Sequence, residues 1–270
     1  MARAAIRRRR VSPVDAATRI SWRQATVIDV VPETPRTRTL VLDVPEWPGH
    51  RAGQHVDVRL TAPDGYQAER SYSIASAPED PRLALTIERL EEGEVSTYLA
   101  DELRAGDKLE LRGPIGGYFV WDVPVGGPLF LVAGGSGIVP LMAMLRHREA
   151  VLATSDAASR RALPARLVYS SRGWDEVIYR EALAHLAEND TALEVRHTLT
   201  RSQPAGWTGF RRRIDRAMLE EVTWAPSERP RVFICGPTAL VEAAAQSMVE
   251  LGHEPTLIKT ERFGPTGGVV

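Results

Sequence analysis

From about Trp22 to Trp121 the chain runs in short stretches where apolar and polar residues alternate. They are ATVIDVV (25–31), TRTLVLDV (37–44), HVDVRL (55–60), SYSIAS (71–76), LALTIERL (83–90) and KLELRG (108–113). Period-two alternation bounded by Pro/Gly turns is the pattern of strands with one buried face. Six such strands, interrupted by one short helical pattern at 95–103, predict a small antiparallel β-barrel.

Past the Pro-Val-Gly-Gly-Pro stretch at 124–128 the period changes. PLFLVAG (128–134) is apolar throughout, as expected of a strand buried on both faces. A helical pattern at 138–149 follows, then RLVYSS (166–171), a helix at 177–188 and ALEVRHTL (192–199). A helix at 214–222, PRVFICG (230–236), a helix at 238–251 and PTLIKT (255–260) complete the series. This alternation predicts an α/β domain, a parallel sheet with helices on both faces. The expected organisation is a basic, disordered tail at 1–21, a β-barrel domain at 22–124 and an α/β nucleotide-binding domain at 125–270. ATSDAASRRALPA (153–165) reads as an exposed connection.

Composition narrows the function classes. With 34 basic and 35 acidic residues the formal charge is −1, which gives no global argument for nucleic acid or an anionic membrane. No apolar run approaches the ~20 residues that span a bilayer, and the basic N-terminal run is not followed by the apolar core of a secretory signal. The one cysteine, Cys235, cannot form a disulfide within the chain. Nor can one thiolate hold an iron–sulfur cluster, so none is expected within this chain, and no other metal site is expected. A reducing compartment, the cytoplasm, fits this usage.

Four motifs carry chemistry. Arg70-Ser71-Tyr72-Ser73, in AERSYSIASAP, offers a cation, a flat ring and short hydroxyls at the end of one strand. A flavin needs that set, for its phosphate, its ring and its polar edges. Gly93-Glu94-Val95-Ser96-Thr97 opens the short helix of the barrel half, where amides and hydroxyls can receive an anion. Read alone it also fits an ordinary cap by Ser96. Gly134-Gly135-Ser136-Gly137-Ile138-Val139-Pro140 joins a buried strand to a helix. There Gly135 and Gly137 let the backbone approach a pyrophosphate, and Pro140 falls in the first turn, where its missing N–H costs little. Cys235-Gly236-Pro237-Thr238 ends a later strand, at the sheet edge where ligands bind. Its thiol fits the edge of a nicotinamide, and equally a buried structural cysteine.

Taken in order, RSYS, GEVS, GGSGIVP and CGPT resemble the ferredoxin–NADP reductase-like flavoproteins over roughly residues 22–265. The resemblance implies an FAD-binding barrel followed by a nicotinamide-nucleotide domain, with the flavin between them. Carried over by position, Tyr72 would stack on the isoalloxazine and Ser73 would hydrogen-bond near its N5. Arg70 would hold the phosphates with Gly93, Val95, Ser96 and Thr97. Gly236 and Pro237 would stand with Cys235 beside the nicotinamide, and Gly113-Pro114-Ile115-Gly116 looks like the family's next turn near both rings.

NADPH differs from NADH by a 2′-phosphate, which calls for guanidinium or hydroxyl partners. Arg172, the pair Thr200-Arg201 and Arg213 all follow strand ends of the second domain. No acidic residue suited to ribose hydroxyls stands there, so NADPH is the expected nucleotide. The implied activity is hydride transfer from NADPH to FAD, with electrons passed to a separate protein such as a ferredoxin, a flavodoxin or an oxygenase component. Reduction of free flavin or another small acceptor, and a non-catalytic flavin-binding subunit, remain alternatives. Glu261 could handle protons near the site. Phe263 could cover the flavin or pack in the core ahead of a flexible GPTGG tail.

Overall fold

The computed structural model describes residues 20–153 and 163–263. Nearly all of the tail expected at 1–21, most of the connection at 153–165 and the GPTGG stretch lie outside them.

Strands β1 (Trp22–Thr34), β2 (Thr37–Asp43), β3 (His55–Thr61), β4 (Gln67–Ser73), β5 (Leu83–Glu88) and β6 (Lys108–Ile115) form one antiparallel sheet in the order β4-β3-β6-β1-β2-β5. Its edges meet. Ile74, just past β4, bridges Leu85 of β5, and Ala75 N donates to Ala84 O at 2.8 Å. Closure leaves little free edge, and alternate residues such as Val56, Val58, Leu109 and Leu111 fill the interior. The strand expected at 71–76 thus ends at Ser73, because the chain there leaves β3 to cross to β5. The helix expected at 95–103 is one turn, α1 (Glu94–Thr97), widening into a π-turn at Tyr98–Glu102.

In the second half β7 (Leu129–Gly134), β8 (Ala165–Ser171), β9 (Leu193–Leu199), β10 (Arg231–Pro237) and β11 (Ile258–Phe263) form a parallel sheet ordered β11-β10-β7-β8-β9. Helices α2 (Ile138–Ala153), α3 (Arg180–Asn189), α4 (Arg216–Val222) and α5 (Thr238–Glu250) cross over between strands. The chain starts at β7 in the middle and reverses between β7 and β10, which makes their carboxyl ends the topological switch point. The last strand begins later than expected, after a tight turn at Pro255–Leu257, and so takes Glu261 and Phe263 into the sheet. Among the described residues no helix is long and apolar enough to cross a membrane.

The barrel and the α/β half share a core. Ala52, Ala75 and Ala84 of the barrel, Phe119 and Trp121 of the linker, and Cys235 of β10 belong to one buried cluster. Polar groups cross the same junction. Arg146 Nη1 donates to Ala75 O at 2.7 Å, and the buried His147 ring lies between Glu79 (2.8 Å) and Asp122 (3.1 Å). Tyr179, ahead of α3, is buried at φ +60°, in the left-handed region that costs a bulky residue energy. Its hydroxyl bonds to Thr86 in β5, and its N–H donates to Glu33 at 3.3 Å.

Tyr179→Phe should therefore lower stability by about 1–2 kcal/mol in urea denaturation, by removing one partner of a buried hydroxyl. The loss should be at the low end, because Thr86 keeps Thr39 as a partner at 2.8 Å. No change in the urea midpoint would mean that the contact contributes nothing.

Candidate active site

Three groups of residues gather at strand ends. On the barrel, β3 runs between β4 and β6, so His55 faces Ser73 on one side and Ile115 on the other. The RSYS end and the turn at 113–116 therefore meet at one rim. Tyr72 lies opposite the buried Val56, and its ring packs against the barrel core. Burial pushes its phenol up to about 12, so the hydroxyl stays protonated. Arg70 donates only to the Glu69 carbonyl (2.7 Å), and no carboxylate pairs with it among the described residues. A guanidinium left without an acid partner fits a phosphate anchor. Burial lowers the His55 pKa, keeping that ring neutral beside Gly116.

The loop at 93–97 packs beside β4 but uses its own hydroxyls. Ser96 Oγ accepts from Leu90 N and donates to Gly93 O, both at 3.1 Å, and Thr97 Oγ1 donates to Leu90 O at 3.3 Å. Any anion there would meet the backbone amides at the start of α1, which have no intrahelical acceptor. Gly93 is required by the loop itself, since a Cβ would strike Ser96 Oγ and lie 2.9 Å from the Leu90 side chain. Val95 is buried in the barrel core and can offer only its backbone.

At the switch point three glycines press together. A Cβ on Gly137 would fall on the carbonyl of Cys235, and one on Gly236 would lie 3.2 Å from Gly134 N. Gly137 thus serves packing of the helix start against β10. Gly135, at φ +55°, makes the turn, and Tyr169 of β8 donates its hydroxyl to the Gly135 carbonyl at 3.1 Å. A tyrosine inside the buried strand RLVYSS needs a polar partner, a signal that marks Tyr169 in the sequence. Pro140 is buried in the first turn of α2, and Pro237 is exposed at the end of β10.

Cys235 faces the junction, directly across from Glu261, with Sγ 4.0 Å from Oε2. Burial pushes the thiol well up, helped by the neighbouring carboxylate. Burial also raises the Glu261 carboxyl, to about 7. Phe263 is half-buried against the same shared core.

The third group lies on the other side of β7. Arg201 N donates to Arg172 O at 2.8 Å and Thr200 N to Ser171 O at 3.0 Å, joining the segments that follow β8 and β9. Phe210 pairs with Thr198, bringing the run that holds Arg213 beside β9. Arg172, Arg201 and Arg213 are exposed and have no acidic partner among the described residues. From β10 to β9 is three strand spacings, roughly 14 Å, which an extended dinucleotide can cover.

Residues 24–120 match the oxidoreductase FAD-binding domain and residues 131–246 the oxidoreductase NAD-binding domain. The chain is 32% identical to ferredoxin–NADP reductase B of Sorangium cellulosum, over 89% of this chain and 97% of that one. The chain belongs to the ferredoxin–NADP reductase-like flavoproteins. This flavoprotein is also 32% identical to the glycine betaine monooxygenase reductase subunit of Chromohalobacter salexigens, of whose length it spans 63%. A solved cytochrome P450 reductase of Amycolatopsis superposes with a TM-score of 0.76 at 28% identity, over 92% of this chain and 71% of that one.

Two outcomes test the site. Gly137→Ala should weaken nucleotide binding at least about tenfold in calorimetry, because its Cβ forces the turn off β10. Glu261 holds its proton to a higher pH folded than unfolded, so it withdraws stability as pH rises from about 4.5 towards 7. Glu261→Gln should therefore gain stability over wild type as pH increases across that window, and parallel pH profiles would contradict the assignment.

Proposed function

We propose that this protein accepts a hydride from NADPH onto FAD and passes the electrons to a separate acceptor protein. The observation that carries the reading is the shared cluster: two residues after Ser73, Ala75 packs into the same core as Cys235. The barrel rim and the switch point therefore face one another, and two ligands held there can meet.

Arg70 and the amides at the start of α1 would hold the flavin phosphates, with Tyr72 against the ring and Ser73 free to bond its polar edge. The turn at Gly135 and the amino end of α2 would receive the nucleotide pyrophosphate. Arg172, Thr200, Arg201 and Arg213 would bind the 2′-phosphate, which favours NADPH over NADH. Cys235 closes the nicotinamide side as a neutral, poorly hydrated group and keeps water from the junction. Held in this way, FAD would supply the redox chemistry. The protein supplies placement, and no acid–base triad is required.

Relatives named as reductase subunits of glycine betaine monooxygenase, of an aromatic O-demethylase and of a stachydrine N-demethylase support a separate acceptor. A ferredoxin, a flavodoxin or an oxygenase component has the required chemistry. A buried free thiol and a nicotinamide nucleotide substrate support a cytoplasmic location.

Protein reconstituted with FAD should bleach when NADPH is added without oxygen, and should need a higher concentration of NADH for the same rate. Ser73→Ala should retain the flavin and slow the bleaching about tenfold. Flavin uptake with no bleaching by either nucleotide would overturn the proposal in favour of a non-catalytic flavin-binding subunit.

A further inference from the structure

Two of the three arginine-bearing segments of the proposed 2′-phosphate site, those of Arg172 and Arg201, are tied to one pair of indole rings that the proposed function leaves unused. Trp174 lies in the turn Trp174–Glu176, just after Arg172. Trp207 lies in the excursion that follows Arg201. Their ring centroids are 5.3 Å apart at 52°. His197 of β9 meets Trp174 edge-on at 5.4 Å and Tyr169 at 5.8 Å. Burial pushes His197 down to about 4, so it is neutral near pH 7 and leaves the positive charge of the site to the arginines.

Trp207 also closes the excursion from within. Its N–H donates to Pro204 O at 3.2 Å and its Nε1 to Phe210 O at 3.1 Å, while its carbonyl accepts from Arg211 Nη2 at 2.6 Å. Gly209 leaves room for the ring, because a Cβ there would strike it. On the neighbouring side Arg201 N and Ser202 N both donate to Arg172 O, at 2.8 and 3.0 Å. A Cβ on Gly173 would strike Ser202 Oγ, so this glycine admits the close approach. The roots of Arg172 and Arg201 are thereby fixed relative to each other, with the tilted indole pair as the brace.

We infer that Trp174 and Trp207, with His197 beside them, are positioning residues that set selectivity for the 2′-phosphorylated nucleotide, by holding Arg172 and Arg201 at a fixed separation. The inference rests on the NADPH reading above. Long guanidinium side chains lose rotamer freedom on binding, and fixed roots reduce that cost. A small displacement of either root weakens a two-arginine clamp more than it weakens the pyrophosphate turn, which lies across the sheet. Loss of the brace should therefore change selectivity more than general affinity.

Calorimetry on the FAD-loaded full chain, with 2′,5′-ADP and 5′-ADP as probes, tests this. Wild type should bind 2′,5′-ADP more tightly. Trp207→Leu and Trp174→Leu should cut that advantage about tenfold while 5′-ADP affinity stays within about twofold. Trp207→Phe, which keeps an aromatic ring, should restore most of it. Arg201→Gln reports on the underlying reading. If it removes the advantage and neither leucine variant does, the brace is wrong and the NADPH reading stands. Equal weakening of both probes in the leucine variants also overturns the brace, since general loosening predicts that. No 2′-phosphate advantage in wild type would overturn both.

Discussion

Helix α2 has to be buried on two sides at once, and the rest of the molecule is arranged around that requirement. Residues 138–145, from Ile138 to Leu145, are all buried. A surface helix keeps one polar stripe, whereas a helix apolar all round must be enclosed. The parallel sheet covers one side. The barrel and linker cover the other, through Ala52, Ala75, Phe119 and Trp121. Gly53 shows how close that second contact is: at φ +99° it has no Cβ, and one built there would lie 2.8 Å from Met144 Cε. The same helix begins at the Gly135–Gly137 turn. Packing that joins the two halves therefore also sets the Gly135–Gly137 turn against the barrel.

Charge at this junction is confined to its margin. His147 reaches Glu79 and Asp122, whose carboxylates remain partly exposed. Deeper in, where the two ligands are proposed to meet, Cys235 and Glu261 are both shifted towards their neutral forms by burial. A site that must admit a hydride and exclude water gains from having few fixed charges to hydrate. The cations proposed to bind phosphate stand at the periphery instead, Arg70 on the barrel and Arg172, Arg201 and Arg213 beyond β8 and β9.

Much of this was legible in the sequence, because the signals are local. Period-two alternation marked the barrel strands, and the uninterrupted apolar run at 128–134 marked a strand buried on both faces. Strand–turn–helix contexts located the glycine turns. Long-range contacts were not legible. Nothing in SYSIAS announces that the chain leaves one sheet edge after Ser73 and closes the barrel through Ile74. The hydroxyls of Ser96 and Thr97 look available in a linear reading and are in fact bonded within their own loop. Gly137 reads as room for a ligand, yet its space is filled by the β10 backbone. The Trp174–Trp207 contact joins rings 33 positions apart in the numbering, and neither position carries a motif.

In the proposed function the barrel rim and the switch point hold flavin and nicotinamide face to face in one fixed orientation. The most direct measurement is single-turnover flavin bleaching, without oxygen and at saturating nucleotide, with NADPH carrying deuterium on one or the other face of C4. A fixed orientation predicts that one stereoisomer bleaches the flavin more slowly than unlabelled NADPH and that the other matches it. Equal slowing by both labels would contradict the account, and so would slowing by neither.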